Sequence, residues 1–338
     1  MESFRNFKTQ TWPPPPTFTT PGPQEGRVFI VTGGNTGIGF ELCKILFTSG
    51  ATIYMASRSK EKAEDAIKTI EATIPEGTKG RGQLKFLRLD LGDLKSVKTA
   101  ADEFARREPK LDVLWNNAGI GANALKFGER TAQDLEVFMG VHCVATLLFT
   151  RLLLPQLKAA VAAAGPSGAG KTRVVWTSSG LMDSGAPSNG VDFGVLDRGF
   201  RDRVTNYAAS KAGTWFLARE FARRHGGGDD GILSVTLNPG NLRTGSFKGT
   251  AAPLYFVLNA FMLHDPEFGA YTELYAGLSP ELKIEHNGTY VIPWGRRRPD
   301  SEITRKDILK AMAPESEGGL GHAKKLWEWC EEQWKPHV

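Results

Sequence analysis

The sequence has little cysteine, and no arrangement of it that builds a site. Cys43, Cys143 and Cys330 are odd in number and far apart, form no C-x-x-C pair, and have no histidine at metal-ligand spacing. A disulfide framework and a metal centre are therefore excluded as organising features, and a reducing, cytoplasmic setting is expected. Long apolar runs are missing too. The longest, Ala251 to Leu263, is about half of the roughly 20 residues a spanning helix requires, so no membrane span is expected. Met1 to Gln10 carries charges and no apolar run, unlike a secretory signal. Charge of one sign is scarce as well: 42 basic and 37 acidic residues are interspersed and leave a formal excess of +5. That is poor ground for a nucleic-acid partner, and a phosphate-bearing cofactor would account for some of it.

What is present is an alternation of strand-like and helix-like segments. Residues 1–26, with Pro13 to Pro16, Pro21 and Pro23, read as an extended N-terminal arm. Beyond it, residues 28–31 form a short β-branched run that meets Thr32-Gly33-Gly34 and opens into an apolar-periodic stretch over 38–47. This is strand, tight turn, helix. The cycle repeats with strands expected at 52–56, 84–89 and 111–115 and helices at 60–73 and 93–107. It continues with a long helix over 134–164, a strand at 173–177, a helix at 206–224 and a strand at 233–237. Residues 240–279 read as an irregular, aromatic-rich insertion, followed by a last strand near 289–292 and an amphipathic helix over 323–334. Such alternation predicts one α/β domain, a Rossmann-type doubly wound parallel sheet of about seven strands over 27–295, with a C-terminal helical extension from 296 to 338. With Arg296 to Arg298 the tail is locally basic, but its tryptophans follow helical spacing and no further basic stripe supports nucleic-acid binding.

Chemistry-bearing motifs fall at the strand ends. Gly33, Gly34, Asn35, Thr36, Gly37, Ile38 and Gly39 lie between the first strand and first helix, where backbone N–H groups and the positive helix end favour a pyrophosphate. At the end of the second strand, where a carboxylate would bind the ribose 2′-OH of NAD, stand Ser57 and Arg58. An arginine beside hydroxyls instead suits the 2′-phosphate of NADP(H), although Arg58 also reads as a solvated charge. Asp90-Leu91 follows the third strand, where the carboxylate suits an adenine amino group or the cap of the next helix. Asn117, Ala118 and Gly119 follow the fourth strand, as part of a ligand edge or of a plain asparagine turn. Ser178 and Ser179 end the fifth, either to bond a substrate oxygen or as a serine-rich loop start. Tyr207 and Lys211 are one helical turn apart on one face. Either the pair decorates a helix, or the ammonium lowers the phenol pKa from about 10 toward the range useful in general acid-base work.

In order and together these segments resemble the short-chain dehydrogenase/reductase family: T-G-G-x-x-x-G-I-G, Asp-Leu, N-N-A-G, serine, Y-x-x-x-K and Asn238-Pro239-Gly240. The likeness covers about residues 27–295 and is nearest the retinol-dehydrogenase-like branch and its fungal relatives, from Ser57-Arg58 and the run Pro239, Gly240, Asn241, Leu242, Arg243, Thr244. The resemblance implies a NADP(H)-dependent oxidoreductase. In it Tyr207 would be the proton donor in reduction, Lys211 would hold the nicotinamide ribose and Ser179 would orient the carbonyl. Thr244 would meet the nicotinamide carboxamide and Asn117 the adenosine-side ribose. It also implies that homo-oligomers are common among relatives. One departure stands out: His142 occupies the position of an asparagine that helps anchor a relay water. A neutral imidazole could keep the relay, shift its pH dependence because histidine titrates near 6.5, or simply be packed.

Residues 241–285 correspond to the family's substrate loop. Leu254, Tyr255, Phe256, Val257, Leu258, Phe261, Met262 and Leu263 give it an apolar face that suits either a hydrophobic carbonyl or alcohol, or packing on the core or a second subunit. His264 and Asp265 read as a helix end rather than a catalytic pair. The expected activity is reduction of a ketone or aldehyde on a hydrophobic small molecule, or its reverse. The competing expectation is a cofactor-binding protein without redox turnover, for which His142 is the one mark.

Overall fold

Val28–Thr32 shows no polar alternation, and all five residues are buried, as a central parallel strand covered on both faces requires. It forms β1. In the computed structural model, which describes residues 9–165, 168–228, 230–245 and 252–338, β1 pairs in parallel with β2 (Thr52–Ser57) on one side and β4 (Val113–Asn116) on the other. The sheet continues outward to β3 (Gln83–Arg88) and to β5 (Arg173–Thr177), β6 (Leu233–Leu237) and β7 (Tyr290–Ile292). The strand order is 3-2-1-4-5-6-7-8. The first seven strands are parallel. The eighth, β8 (Arg296–Arg298), turns back antiparallel on β7.

This eighth strand was not expected, because Arg296 to Arg298 reads as a basic surface run. Two of its arginines are structural instead. Arg298 is buried and donates to Asp183 and to the Glu302 carbonyl, while Arg296 donates to the carbonyls of Pro293 and Thr9.

Helices α1 (Gly37–Phe47), α2 (Lys60–Glu71) and α3 (Leu94–Arg107) follow β1, β2 and β3. The expected single helix over 134–164 is two: α4 (Val137–Leu152) and α5 (Leu154–Ala164), bent by 51° where Pro155 enters the first turn of α5. Among the described residues no single helix is long and apolar enough to cross a membrane, and this bent pair, which passes by length and composition, has α4 buried in the core. The middle of α4, Gly140–Ala145, is wound as a π-helix. A short helix, α6 (Leu181–Gly185), follows β5, and α7 (Arg203–His225) is capped by Asp202, whose carboxylate accepts from Thr205 N–H at 2.7 Å. The stretch read as irregular holds two helices, α8 (Ala252–Phe261) and α9 (Pro266–Leu278). The chain closes with α10 (Lys306–Met312) and α11 (His322–Trp334).

Two apolar layers flank the sheet. One is built on α3, α4, α7 and α11, the other on α1, α2 and α9. The strand order reverses between β1 and β4, because the chain runs outward from β1 through β2 to β3 and then crosses back to β4. Ligands of such sheets bind in the crevice at that reversal.

Candidate active site

Thr32, the last residue of β1, latches the crevice. Its hydroxyl donates to the Trp115 carbonyl at 3.1 Å and accepts from Ala118 N–H at 2.9 Å, while its carbonyl accepts from Asn117 Nδ2 at 2.8 Å. Asn117 thus holds the glycine turn from below. The turn leaves no room for a side chain at Gly39, where a Cβ would lie 2.5 Å from the Gly33 carbonyl oxygen. Gly37, at φ +56°, adopts a conformation open to glycine and opposes Thr244. At the end of β2, Ser57 Oγ is buried without a hydrogen-bond partner among the described residues, and Arg58 beside it is exposed. An orphan hydroxyl, a bare glycine turn and an arginine at one edge fit a phosphate-bearing dinucleotide. Asp90 does not cap the third helix. Its Oδ1 accepts from Gly92 N–H, and Asp93 takes the cap by accepting from Lys95 N–H at 3.0 Å. Leu91 is buried beside it.

Across the sheet, the Ser179 hydroxyl comes near enough to the Tyr207 phenol to favour its ionised form. Both line a cavity of ≈ 480 Å³ together with Ile38, Pro239, Gly240, Leu242 and Thr244. The two serines have different duties: Ser178 is buried and donates to the Lys211 carbonyl at 2.8 Å, leaving Ser179 to the cavity. Lys211 lies behind Tyr207, its Nζ 5.8 Å from the ring centroid, and donates to the Thr177 carbonyl at 2.9 Å. Burial lowers its pKa to about 8, opposed by Cys143 and Glu273. The Thr177 hydroxyl donates to Glu273 at 2.6 Å, and burial raises that carboxyl to about 8.

Two expectations about proton chemistry are corrected. The Tyr207 phenol is pushed up, not down: burial dominates, and the nearby Ser179 hydroxyl pulls the other way. The ammonium faces Thr177 and the ring rather than the phenol oxygen, so it does not set the shift. His142 does not titrate near 6.5 either, because burial, and then the charge of Lys211, hold its pKa well below that value. Its Nε2 accepts from Ile120 N–H at 2.9 Å and its Nδ1 lies 2.8 Å from Ser210 Oγ, which itself donates to the Tyr207 carbonyl. The neutral ring therefore carries its proton on Nδ1, and both nitrogens are committed. A Cβ on Gly119 would lie 3.2 Å from both His142 Nε2 and Lys211 Nζ, which gives that glycine its reason.

The remaining candidates spread along the edge. Gly33, Asn35, Thr36, Ser57, Arg58, Asp90, Leu91, Asn117, Ala118 and Gly119 follow β1 to β4 and do not line the cavity itself. Of the expected apolar face, Leu258, Met262 and Leu263 line the cavity, whereas Phe256 and Phe261 are exposed. The side chains of Leu254, Tyr255 and Val257 lie outside the described residues. His264 belongs to neither helix, and Asp265 stands at the N-terminus of α9. Gln10, Thr11 and Asp183 also line the cavity, with no local sequence signal to announce them.

A family model described as short chain dehydrogenase matches residues 27–191. The short-chain dehydrogenase/reductase iacJ of Pestalotiopsis fici is 44% identical over 342 residues, covering 100% of both chains. Among solved structures, an uncharacterized protein from Mycobacterium Paratuberculosis superposes with a TM-score of 0.63 at 25% identity, over 92% of this chain and 98% of its own. An NADPH-bound carbonyl reductase from chicken fatty liver (TM-score 0.58, 21% identity, 81% and 94% covered) and a 3-oxoacyl-[acyl-carrier protein] reductase from Brucella melitensis in complex with NAD (0.58, 20%, 79% and 95%) share the fold.

Proposed function

Since this chain belongs to the short-chain dehydrogenase/reductase family, we propose that it is an NADP(H)-dependent oxidoreductase interconverting a carbonyl and an alcohol on a hydrophobic small molecule. The observation that carries this reading is that Tyr207 and Ser179 meet on the wall of one cavity, with Lys211 behind the Tyr207 ring.

The dinucleotide would be held by the turn from Gly33 to Gly39, by Ser57, Arg58, Asp90 and Leu91, by Asn117 to Gly119, and by Pro239, Gly240, Leu242 and Thr244. When bound, it supplies or accepts the hydride. No carboxylate stands at the end of β2, and the orphan hydroxyl of Ser57 beside Arg58 supports the phosphorylated form.

This chain's own groups handle the proton. Because burial raises its pKa, the Tyr207 phenol is protonated at neutral pH and can donate to a carbonyl oxygen during reduction. Ser179, on the same cavity wall, can turn its hydroxyl to the same oxygen. Reduction leaves a phenolate, whose charge the Ser179 hydroxyl favours. His142, with no free nitrogen, positions rather than relays: it fixes Ser210 and the Ile120 amide on either side of the reacting pair. Ile38, Leu181, Leu242 and Met262 on the wall suit a lipophilic substrate and exclude water.

The test is NADPH oxidation with a panel of lipophilic ketones and aldehydes. Tyr207→Phe is expected to cut kcat by about 10²- to 10⁴-fold while NADPH binding persists. Arg58→Ala is expected to weaken NADPH about tenfold or more and NADH little. A wild type that binds NADPH yet oxidises it with no carbonyl, with Tyr207→Phe changing nothing, would overturn the reading.

A further inference from the structure

The N-terminal arm does not trail across the surface. Gln10 and Thr11 line the cavity, and residues Thr9 to Trp12 bond to several of the segments around it. The Gln10 amide bridges two of them: its Oε1 accepts from Asn238 Nδ2 at 2.8 Å, and its Nε2 donates to Asp183 Oδ2 at 3.3 Å. The orientation of that amide follows from its partners. Asn238 already uses its own oxygen to accept from Gly240 N–H at 3.0 Å, so it can only donate to Gln10, and the Asp183 carboxylate can only accept. Asn238 belongs to the turn after β6, and Asp183 to α6, just past Ser179.

The third wall, between α8 and α9, is tied by His264, whose Nε2 donates to the Thr11 carbonyl at 2.8 Å, and by Trp12, whose indole donates to the Phe261 carbonyl at 3.1 Å. Arg296 on β8 donates to the Thr9 carbonyl at 2.8 Å. Thr11 is only 1% exposed. A segment of this size immobilised by at least six hydrogen bonds to residues distant in sequence must repay the ordering of its backbone through them.

We propose that Gln10 and Thr11 are specificity-determining residues: the arm is the distal wall of the substrate cavity, and it limits the length and shape of the lipophilic molecule that can lie against Tyr207. The proposal rests on the reductase reading for the identity of that molecule, but not for the geometry of the wall. Losing the Gln10 amide unpins the Asn238 turn and α6 from each other, so the cavity loses its fixed width at the end away from the glycine turn. Longer or bulkier carbonyls then compete, and the original ones are held less well.

Two variants test it, each in the full-length protein. The native thiols of Cys43, Cys143 and Cys330 are fully buried, so Thr11→Cys introduces one reporter, and Thr17→Cys, at an exposed position of the same arm, is its control. With N-ethylmaleimide, Thr11→Cys is expected to react about tenfold or more slowly than Thr17→Cys, and more slowly still when NADPH and a lipophilic ketone are added together. Gln10→Ala is expected to raise KM for the preferred carbonyl about tenfold and to reorder the panel toward bulkier members. Its kcat should fall by less than KM rises, and NADPH affinity should hold. Equal alkylation rates, or an unchanged KM and order of preference, would overturn the proposal. If the wild type turns over no carbonyl, the redox reading fails by itself. The wall is then decided by ketone protection of Thr11→Cys, whose presence supports it and whose absence overturns it.

Discussion

His142 is a buried ring with both of its nitrogens committed. Its proton sits on Nδ1 toward Ser210, and Nε2 is filled by the Ile120 amide. Such a group stays neutral in the folded state while its unfolded counterpart charges near 6.5. The unfolded chain then binds the extra proton, so the contribution of His142 to stability is present above about pH 6.5 and is lost as pH falls below it. Thermal unfolding followed from pH 7.5 to 5 should show a steeper loss of Tm in wild type than in His142→Asn. The kcat/KM profile of the wild type should have no limb near 6.5 that the variant lacks. At this scale Tyr207, Lys211 and Ser179 could be picked out from their spacing and order. The direction of the phenol's shift could not, since it depends on how deeply the ring is buried and on where the ammonium points.

Arg173 shows what an element needs in order to stay in place. It stands at the start of β5, buried, and its guanidinium donates to the carbonyls of Gly170, Ala276, Ser279 and Leu282. Ala276 lies in the last turn of α9, where carbonyls lack partners and a cation is favoured. Burial lowers the guanidinium pKa to about 10, so the charge is kept at neutral pH. Arg173→Leu strands those carbonyls in an apolar layer and is expected to lower stability by about 3 kcal/mol or more, measured by urea unfolding. The same substitution should loosen α9, which carries Glu273 against Thr177. Element boundaries were largely legible where periodicity was strong, as in α1 and α11. They were not legible in residues 240–279, where an apolar face and aromatics hide two helices whose ends are marked only by Asp265 and Pro266. The bend between α4 and α5 needed Pro155 to be weighed against an unbroken apolar pattern.

At the scale of the whole molecule, the sheet separates two apolar layers, and α11 closes one of them over α4 and α7. Trp327 is fully buried there, with the Arg224 guanidinium 4.5 Å from its ring centroid, and Leu326 comes close enough to α7 that a Cβ on Gly213 would lie 3.2 Å from it. Cys43 belongs to one layer, and Cys143 and Cys330 to the other. If the two layers stand or fall with the single sheet between them, all three thiols become reactive in one step. Alkylation counted by mass spectrometry across a urea series should therefore pass from none to three with one midpoint, and a stable species with one or two labels would show that the layers unfold separately.

The order of motifs along the chain determined the α/β class, the edge of the sheet at which the candidate site lies, and the groups that meet there. Strand-end motifs in a βαβ series must all emerge at the same carboxyl edge, so their position follows from connectivity alone. The eighth strand, the commitment of both His142 nitrogens and the presence of Gln10 and Thr11 in the cavity were decided only by tertiary structure. Each depends on a contact between residues distant in sequence, as between Gln10 and Asn238 or Arg296 and Thr9, and neither periodicity nor spacing carries information about such a meeting.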